Sequence, residues 1–252
     1  MDTIPPIGFG TYKLNGQTCH NSVLEALKAG YRHIDTANLY KNEAEVGQAI
    51  EASGVPRGEV WITTKIHWRD IKKGRDAMNK SVVHSLTQLQ TDYIDLLLLH
   101  NPVDDKLVES WQVMEEIVGT GKVRFIGVSN YTVEQLAIVL DNCKIKPYAN
   151  QFEITPFYNR PELIQYCKSN GIIAVAHTSL VKGEKFDDDR LVALSRQSGI
   201  SKPLLLLAWA LKQDLVVLPR SCNVEHIKEN LESLGVVLDD GVLETMDEFH
   251  DG

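Results

Sequence analysis

The sequence predicts an α/β fold of the (β/α)8 TIM-barrel type, with residues 1–252 forming one domain. Short β-branched or apolar runs recur eight times, segments of helical periodicity follow them, and no polar low-complexity linker divides the chain. A length of 252 residues suits an α/β barrel folding as a single unit.

In chain order, the strand candidates lie at 7–10, 33–35, 60–65, 94–100, 125–128, 148–151, 172–176 and 216–219. Continuously apolar strands such as the one opening at Ile94 suit a parallel sheet covered on both faces. Crossover helices are expected at 43–52, 133–140 and 160–169. At 75–89 one stripe carries Met78, Val82, Leu86 and Leu89; at 107–118 another carries Leu107, Trp111, Met114 and Val118. The segment 202–212 is apolar on more than one face and reads as a buried helix. Ser53-Gly54-Val55-Pro56, Gly119-Thr120-Gly121 and Ser169-Asn170-Gly171 supply turns between them.

Hydrophobic residues make up 43% of the chain and charged residues 24%, which excludes a disordered polymer. No apolar run reaches the ~18 residues that a membrane span requires. Twenty-six Lys and Arg stand against 34 Asp and Glu, a net charge of −8, so nonspecific binding to nucleic acid is not expected. Cys19, Cys143, Cys167 and Cys222 form no CxxC pair, which argues against a zinc site or disulfide scaffold. With an N-terminus (MDTIPPIGFG) lacking a basic region followed by an apolar segment, they predict a cytoplasmic protein. Gly8 and Gly10 form a GxG without its GxxG continuation, and no Walker motif occurs.

Chemistry in such a barrel collects where strands pass into the following loops. Asp35 with nearby Tyr40, Lys65, His100, Ser129 with Asn130, Gln151 with Glu153, and His177 fall there. A phenol beside an ammonium that a carboxylate orients suits proton donation to a carbonyl, because the ammonium draws the phenol pKa down toward the working pH. His100 supplies a hydrogen bond to the carbonyl oxygen or a proton relay. Taken singly, the same residues also read as an N-cap (Asp35), a solvated strand end (Lys65), a helix-packing ring (Tyr40) and a satisfied core imidazole (His100).

The ordered motifs Gly8-Phe9-Gly10-Thr11, Gly30-Tyr31-Arg32-His33-Ile34-Asp35-Thr36-Ala37 with Tyr40, Thr64-Lys65, Asp92-Tyr93-Ile94-Asp95 through His100, Gly127-Val128-Ser129-Asn130 and Asn150-Gln151-Phe152-Glu153 resemble those of the aldo-keto reductases. Leu218-Pro219-Arg220-Ser221 and Glu229-Asn230 extend the resemblance over essentially the whole chain. The nearest likeness is to small bacterial members related to 2,5-diketo-D-gluconate reductase. It implies a catalytic tetrad of Asp35, Tyr40, Lys65 and His100, and a nicotinamide cofactor, NADPH ahead of NADH. Ser129, Asn130 and Gln151 are implied to bind the nicotinamide carboxamide, and His177 to lie beneath the ring. Arg220, Ser221, Asn223, His226, Glu229 and Asn230 take the adenosine end, and Gly10, Thr11, Asp35, Ser179 and Leu180 complete the cofactor contacts.

Some positions depart from the family pattern. Histidine stands at 177 where tyrosine is usual, and the family's Trp-Pro after the tetrad histidine is Asn101-Pro102. His67 takes the place of a pocket tryptophan, with Trp68 one residue later. These changes predict a polar substrate pocket lined by His67, Trp68 and Asn101. At the adenosine end Arg220 replaces lysine and His226 replaces arginine. The N-terminal hairpin and the C-terminal tail ending Phe249-His250-Asp251-Gly252 read as shortened, and 101–106 as a small roof, giving an open pocket for small substrates.

The expected activity is therefore reduction of small aldehydes, α-dicarbonyls or keto-sugars, of the methylglyoxal or 2,5-diketo-D-gluconate type, by a monomer without a metal. Two other readings are an accessory or sensor protein that binds nicotinamide without turnover, and a metal-assisted barrel hydrolase. Against the latter, the eight histidines contain neither HxH nor HExxH.

Overall fold

The computed structural model describes residues 3–250, so Asp251 and Gly252 of the expected tail lie outside the described residues. Strands β1 (Phe9–Gly10), β2 (His33–Asp35), β3 (Trp61–Ile66), β4 (Ile94–Leu99), β5 (Val123–Ser129), β6 (Ala149–Glu153), β7 (Ile173–His177) and β8 (Val216–Val217) form one parallel sheet in chain order. Around it lie α1 (Gly16–Ala29), α2 (Glu43–Ser53), α3 (Trp68–Lys73), α4 (Arg75–Leu89), α5 (Leu107–Gly119) and α6 (Val133–Asn142). They are followed by α7 (Pro161–Ser169), α8 (Asp189–Ser198), α9 (Lys202–Lys212), α10 (Val224–Glu232) and α11 (Asp240–Asp247).

The sheet curls until its last strand meets its first. Val217 N–H donates to Pro6 O at 2.9 Å, Gly8 N–H to Val217 O at 2.8 Å and Gly10 N–H to Pro219 O at 3.0 Å. Two strands are shorter here than expected. Ile7 bridges Val217 across this seam, and on the other edge only Phe9 and Gly10 pair with β2. The strand expected over 216–219 stops at Val217 because Leu218 N–H turns to Ser179 Oγ at 3.3 Å and Pro219 has no N–H.

Successive strand residues point to opposite faces, and the buried side chains divide accordingly. Leu96 and Leu98 join Trp61, Val175, Val216 and Leu218 in one apolar cluster, whereas Leu97 and Leu99 join the larger cluster that the helices cover. At the N-terminal ends of the strands Trp61 stacks on Phe125, ring centres 5.4 Å apart, and Ile4 N–H donates to the Tyr148 hydroxyl at 3.1 Å. Packing between β5 and β6 needs glycine at 127, where a Cβ would stand 2.5 Å from Ala149 O and 2.8 Å from Leu98.

Both Arg75–Leu89 and Lys202–Lys212 form as expected, and the other anticipated helices differ by a residue or two at their ends. Helices α1, α3, α8 and α11 were not anticipated. The buried stripe of α1 uses Cys19, Val23, Ala26 and Leu27, two of them small. The others bury only Ile71 (α3), Leu191 and Leu194 (α8), or Val242 and Met246 (α11).

Candidate active site

The strand ends bring the expected polar groups to one mouth of the barrel. Asp35 ends β2, Lys65 sits one residue before the end of β3, and His100 follows β4. Tyr40 ends a single 3-10 turn, Asn38–Tyr40, that follows β2. Buried Asn42 steadies this loop: its Oδ1 accepts from Thr36 Oγ1 at 2.8 Å, and its Nδ2 donates to Thr11 O at 2.9 Å and Leu14 O at 2.8 Å.

Lys65 Nζ donates to Asp35 Oδ1 at 2.6 Å and to Thr36 O at 2.8 Å, with side-chain exposures of 0% for Lys65 and 5% for Asp35. The second Asp35 oxygen accepts from Gln151 Nε2 at 2.8 Å. The ammonium also lies 5.1 Å from the centre of the Tyr40 ring, close enough for its charge to act on the phenol. His100 meets that ring edge-on, centres 5.7 Å apart, and its buried Nδ1 has no partner among the described residues.

Burial is the largest influence on the Tyr40 phenol and raises its pKa, outweighing the Lys65 charge that lowers it. This corrects the expected fall toward the working pH: the phenol keeps its proton at neutrality. Burial alone would lower the pKa of Lys65, but Asp35 and Tyr40 outweigh it and hold the ammonium above its ordinary value. Burial, then Lys65, His67 and His177, push His100 down to about 3, leaving a neutral imidazole.

Ser129 ends β5, and Asn130 Nδ2 donates both to Ser129 Oγ and to His100 O, each at 3.1 Å. His177 ends β7, partly buried, and its pKa is lowered to about 4 by burial and by Lys65 and Lys182. It borders a cleft of about 160 Å³ shared with Asn130, Glu153 and Arg160. Gly10 lies in the seam, where a Cβ would come 3.0 Å from Leu218 O. Thr11 Oγ1 donates to Asp35 O at 3.0 Å. The buried Ser179 hydroxyl is committed to Ala176 O at 2.7 Å, and Leu180 packs half-buried on the core.

Farther along the rim, Asn223 caps α10 by accepting from Glu225 N–H at 2.8 Å, and Ser221 Oγ accepts from Asn223 N–H at 3.0 Å. Arg220 and His226 are exposed, and Arg220 has no carboxylate partner among the described residues. Glu229 accepts from Ser201 Oγ at 2.6 Å, and Asn230 is buried at 3% exposure.

Of the proposed substrate-pocket residues, His67 caps α3 through Nδ1, which accepts from Arg69 N–H at 2.9 Å. Its ring centre is 5.2 Å from that of Trp68, and Lys72 lies 5.0 Å over the Trp68 ring. Asn101 is half-buried just beyond His100. Tyr12 was missed: it is 52% exposed and its ring centre lies 5.0 Å from that of Tyr40. Its signal was its place two residues past β1, among the strand-end positions.

His33, His100 and His177 are all held neutral by burial, with pKa values lowered to about 3, 3 and 4. The unfolded chain takes up protons below the ordinary histidine value of about 6.5 while the folded one does not, so stability falls as pH drops from there toward those lowered values. Each site contributes at most about 1.4 kcal/mol per pH unit in that window. Urea midpoints measured from pH 7 to 4.5 are expected to decline steadily, and a His33→Asn variant to decline less steeply.

The fold is that of the (β/α)8-barrel enzymes, with its polar groups gathered at the C-terminal strand ends. The chain belongs to the Aldo/keto reductase family, whose profile matches residues 6–251. It is 39% identical over 230 residues to the glyoxal reductase of Bacillus subtilis, covering 91% of this chain and 83% of that one. Over 259 residues it is 34% identical to the glycerol 2-dehydrogenase (NADP(+)) of Saccharomyces cerevisiae, covering 90% and 82%. The crystal structure of MGS-M4, an aldo-keto reductase from a Medee basin deep-sea metagenome library, superposes with a TM-score of 0.94 at 32% identity, covering 98% of this chain and 92% of that one. Membership in this oxidoreductase family supports an enzyme acting on small carbonyl compounds. Among the described residues no helix is long and apolar enough to cross a membrane, and no cluster of acidic, histidine and cysteine residues could hold a metal ion.

Proposed function

We propose that residues 1–252 act as one monomeric, cytoplasmic unit that reduces small aldehydes, α-dicarbonyls or keto-sugars to alcohols with NADPH. The observation that carries this reading is the proton-bearing Tyr40 phenol, set beside the ammonium of a buried Lys65–Asp35 pair and edged by a neutral His100. Bound at this mouth, NADPH supplies a hydride for the carbonyl carbon. Tyr40 gives its proton to the carbonyl oxygen, and the Lys65 ammonium stabilises the phenolate left behind. His100, uncharged, orients the carbonyl. The names of the glyoxal reductase and the NADP-dependent glycerol dehydrogenase support small carbonyl substrates and a phosphorylated nicotinamide cofactor.

The chain's own groups fit that cofactor. Both oxygens of Asp35 are already engaged, so Gln151 keeps its Oε1, and Ser129 its hydroxyl proton, for a carboxamide. An exposed guanidinium without a carboxylate partner at the start of the α10 segment suits a phosphate, which it can clasp through two N–H groups. Calorimetry on Arg220→Ala is expected to show NADPH binding weakened about tenfold and NADH binding nearly unchanged. Equal losses for both cofactors would remove the assignment of Arg220 to the extra phosphate.

A further inference from the structure

We infer that His177 is a positioning residue that fixes the Asn130 amide and thereby ties the floor under the nicotinamide to the segment carrying His100. The inference rests on the cofactor reading above and goes beyond stacking, the role implied by the resemblance.

The argument starts at Asn130, which follows β5 in a left-handed conformation, φ 64°. Its backbone N–H donates to Gln151 O at 2.8 Å. Its side-chain nitrogen donates to His100 O, a carbonyl that can only accept, and to the Ser129 hydroxyl oxygen, each at 3.1 Å. The amide can face only one way, which turns Oδ1 toward His177 Nε2 at 3.0 Å. An amide oxygen only accepts, so the imidazole hydrogen sits on Nε2. A neutral imidazole has one N–H, so Nδ1 is bare and accepts from Thr178 Oγ1 at 2.9 Å. The lowered pKa of His177 agrees with that single-proton state.

Two in-plane hydrogen bonds stop the ring from turning and use neither of its faces. A phenol, with its one hydroxyl at the ring tip, offers no such pair. Through one amide, then, the ends of β4, β5 and β7 are joined. A carboxamide N–H arriving at the remaining lone pair of Asn130 Oδ1 meets an acceptor already fixed in direction, which lowers the ordering cost of binding.

Three substitutions separate this role from stacking. His177→Phe keeps a flat ring and loses both in-plane bonds; His177→Gln keeps a donor for Asn130 Oδ1 and loses the aromatic face; Asn130→Ala removes the clamp. NADPH affinity by calorimetry and the stereospecificity of transfer from deuterated NADPH are the readouts. We expect His177→Phe and Asn130→Ala each to weaken NADPH about tenfold and to blur the stereospecificity, with the double variant no worse than Asn130→Ala alone. His177→Gln retains stereospecificity. Losses that multiply to about a hundredfold in the double variant, or a His177→Phe protein that binds and transfers like wild type, overturn the inference. NMR of nitrogen-labelled histidine in the cofactor-free protein reads it independently. The Nε2–H tautomer, lost on Asn130→Ala, is expected whether or not NADPH binds, and an Nδ1–H tautomer refutes the clamp. Absence of NADPH binding by wild type, with the Nε2–H tautomer present, removes the functional reading and leaves the clamp standing.

Discussion

Replacing Tyr40 by phenylalanine is expected to lower turnover by about a hundred- to ten-thousand-fold, the range for loss of a positioned general acid. NADPH affinity should stay within a factor of about two. The reasons lie in the geometry. The phenylalanine ring preserves the contacts with Tyr12 and His100, ring centres 5.0 and 5.7 Å away, and removes only the hydroxyl. His100 cannot replace it as acid: its pKa is lowered to about 3, so it carries no excess proton near neutrality. Because burial raises the phenol pKa, the acid form of Tyr40 is present throughout the neutral range, and the reductive rate should be lost only as alkali ionises it. Pre-steady-state mixing of each protein with NADPH and an aldehyde separates the lost chemistry from binding.

Lys65→Met carries the second large effect, on stability as well as on activity. Asp35 is buried at 3% exposure and gives one oxygen to Lys65 Nζ and the other to Gln151. With the ammonium gone, the carboxylate keeps only the Gln151 bond, and breaking a buried pair in this way costs about 3–5 kcal/mol. Asp35→Asn combined with Lys65→Met removes both charges and should recover much of that loss in urea unfolding at pH 7. The two variants should be equally inactive, because neither retains the ammonium that stabilises the phenolate. A single Lys65→Met protein as stable as wild type would show that Asp35 is solvated in a way its burial does not allow.

Much of this arrangement was legible in the sequence because barrel strands announce themselves twice, by an apolar run and by a polar residue at its end. Asp35, Lys65, His100, Ser129 and His177 each lie within a residue of a strand end, so the alternation of strand and helix was enough to bring them to one mouth. What escaped depends on contacts between distant residues. The seam that closes β8 on β1 joins Gly8 to Val217, and no local pattern encodes it. The pKa of Tyr40 rises because burial outweighs a neighbouring charge, and depth of burial is a property of the fold. Asn130 and His177 are separated by 47 residues in sequence, so their hydrogen bond was invisible until β5 and β7 had been placed. Ser179 and Glu229, assigned to the cofactor by resemblance, prove to hold Ala176 O and Ser201 Oγ, partners that motif spacing does not reveal.

The most direct test of the central claim is the loss of reduced-nicotinamide absorbance on mixing the protein with NADPH and a panel of methylglyoxal, glyceraldehyde, 2,5-diketo-D-gluconate and aromatic aldehydes, with Tyr40→Phe run alongside. Carbonyl-dependent consumption by wild type that falls at least about a hundredfold in Tyr40→Phe is the predicted result. Tight NADPH binding with no turnover on any carbonyl, or a Tyr40→Phe variant as fast as wild type, would contradict it.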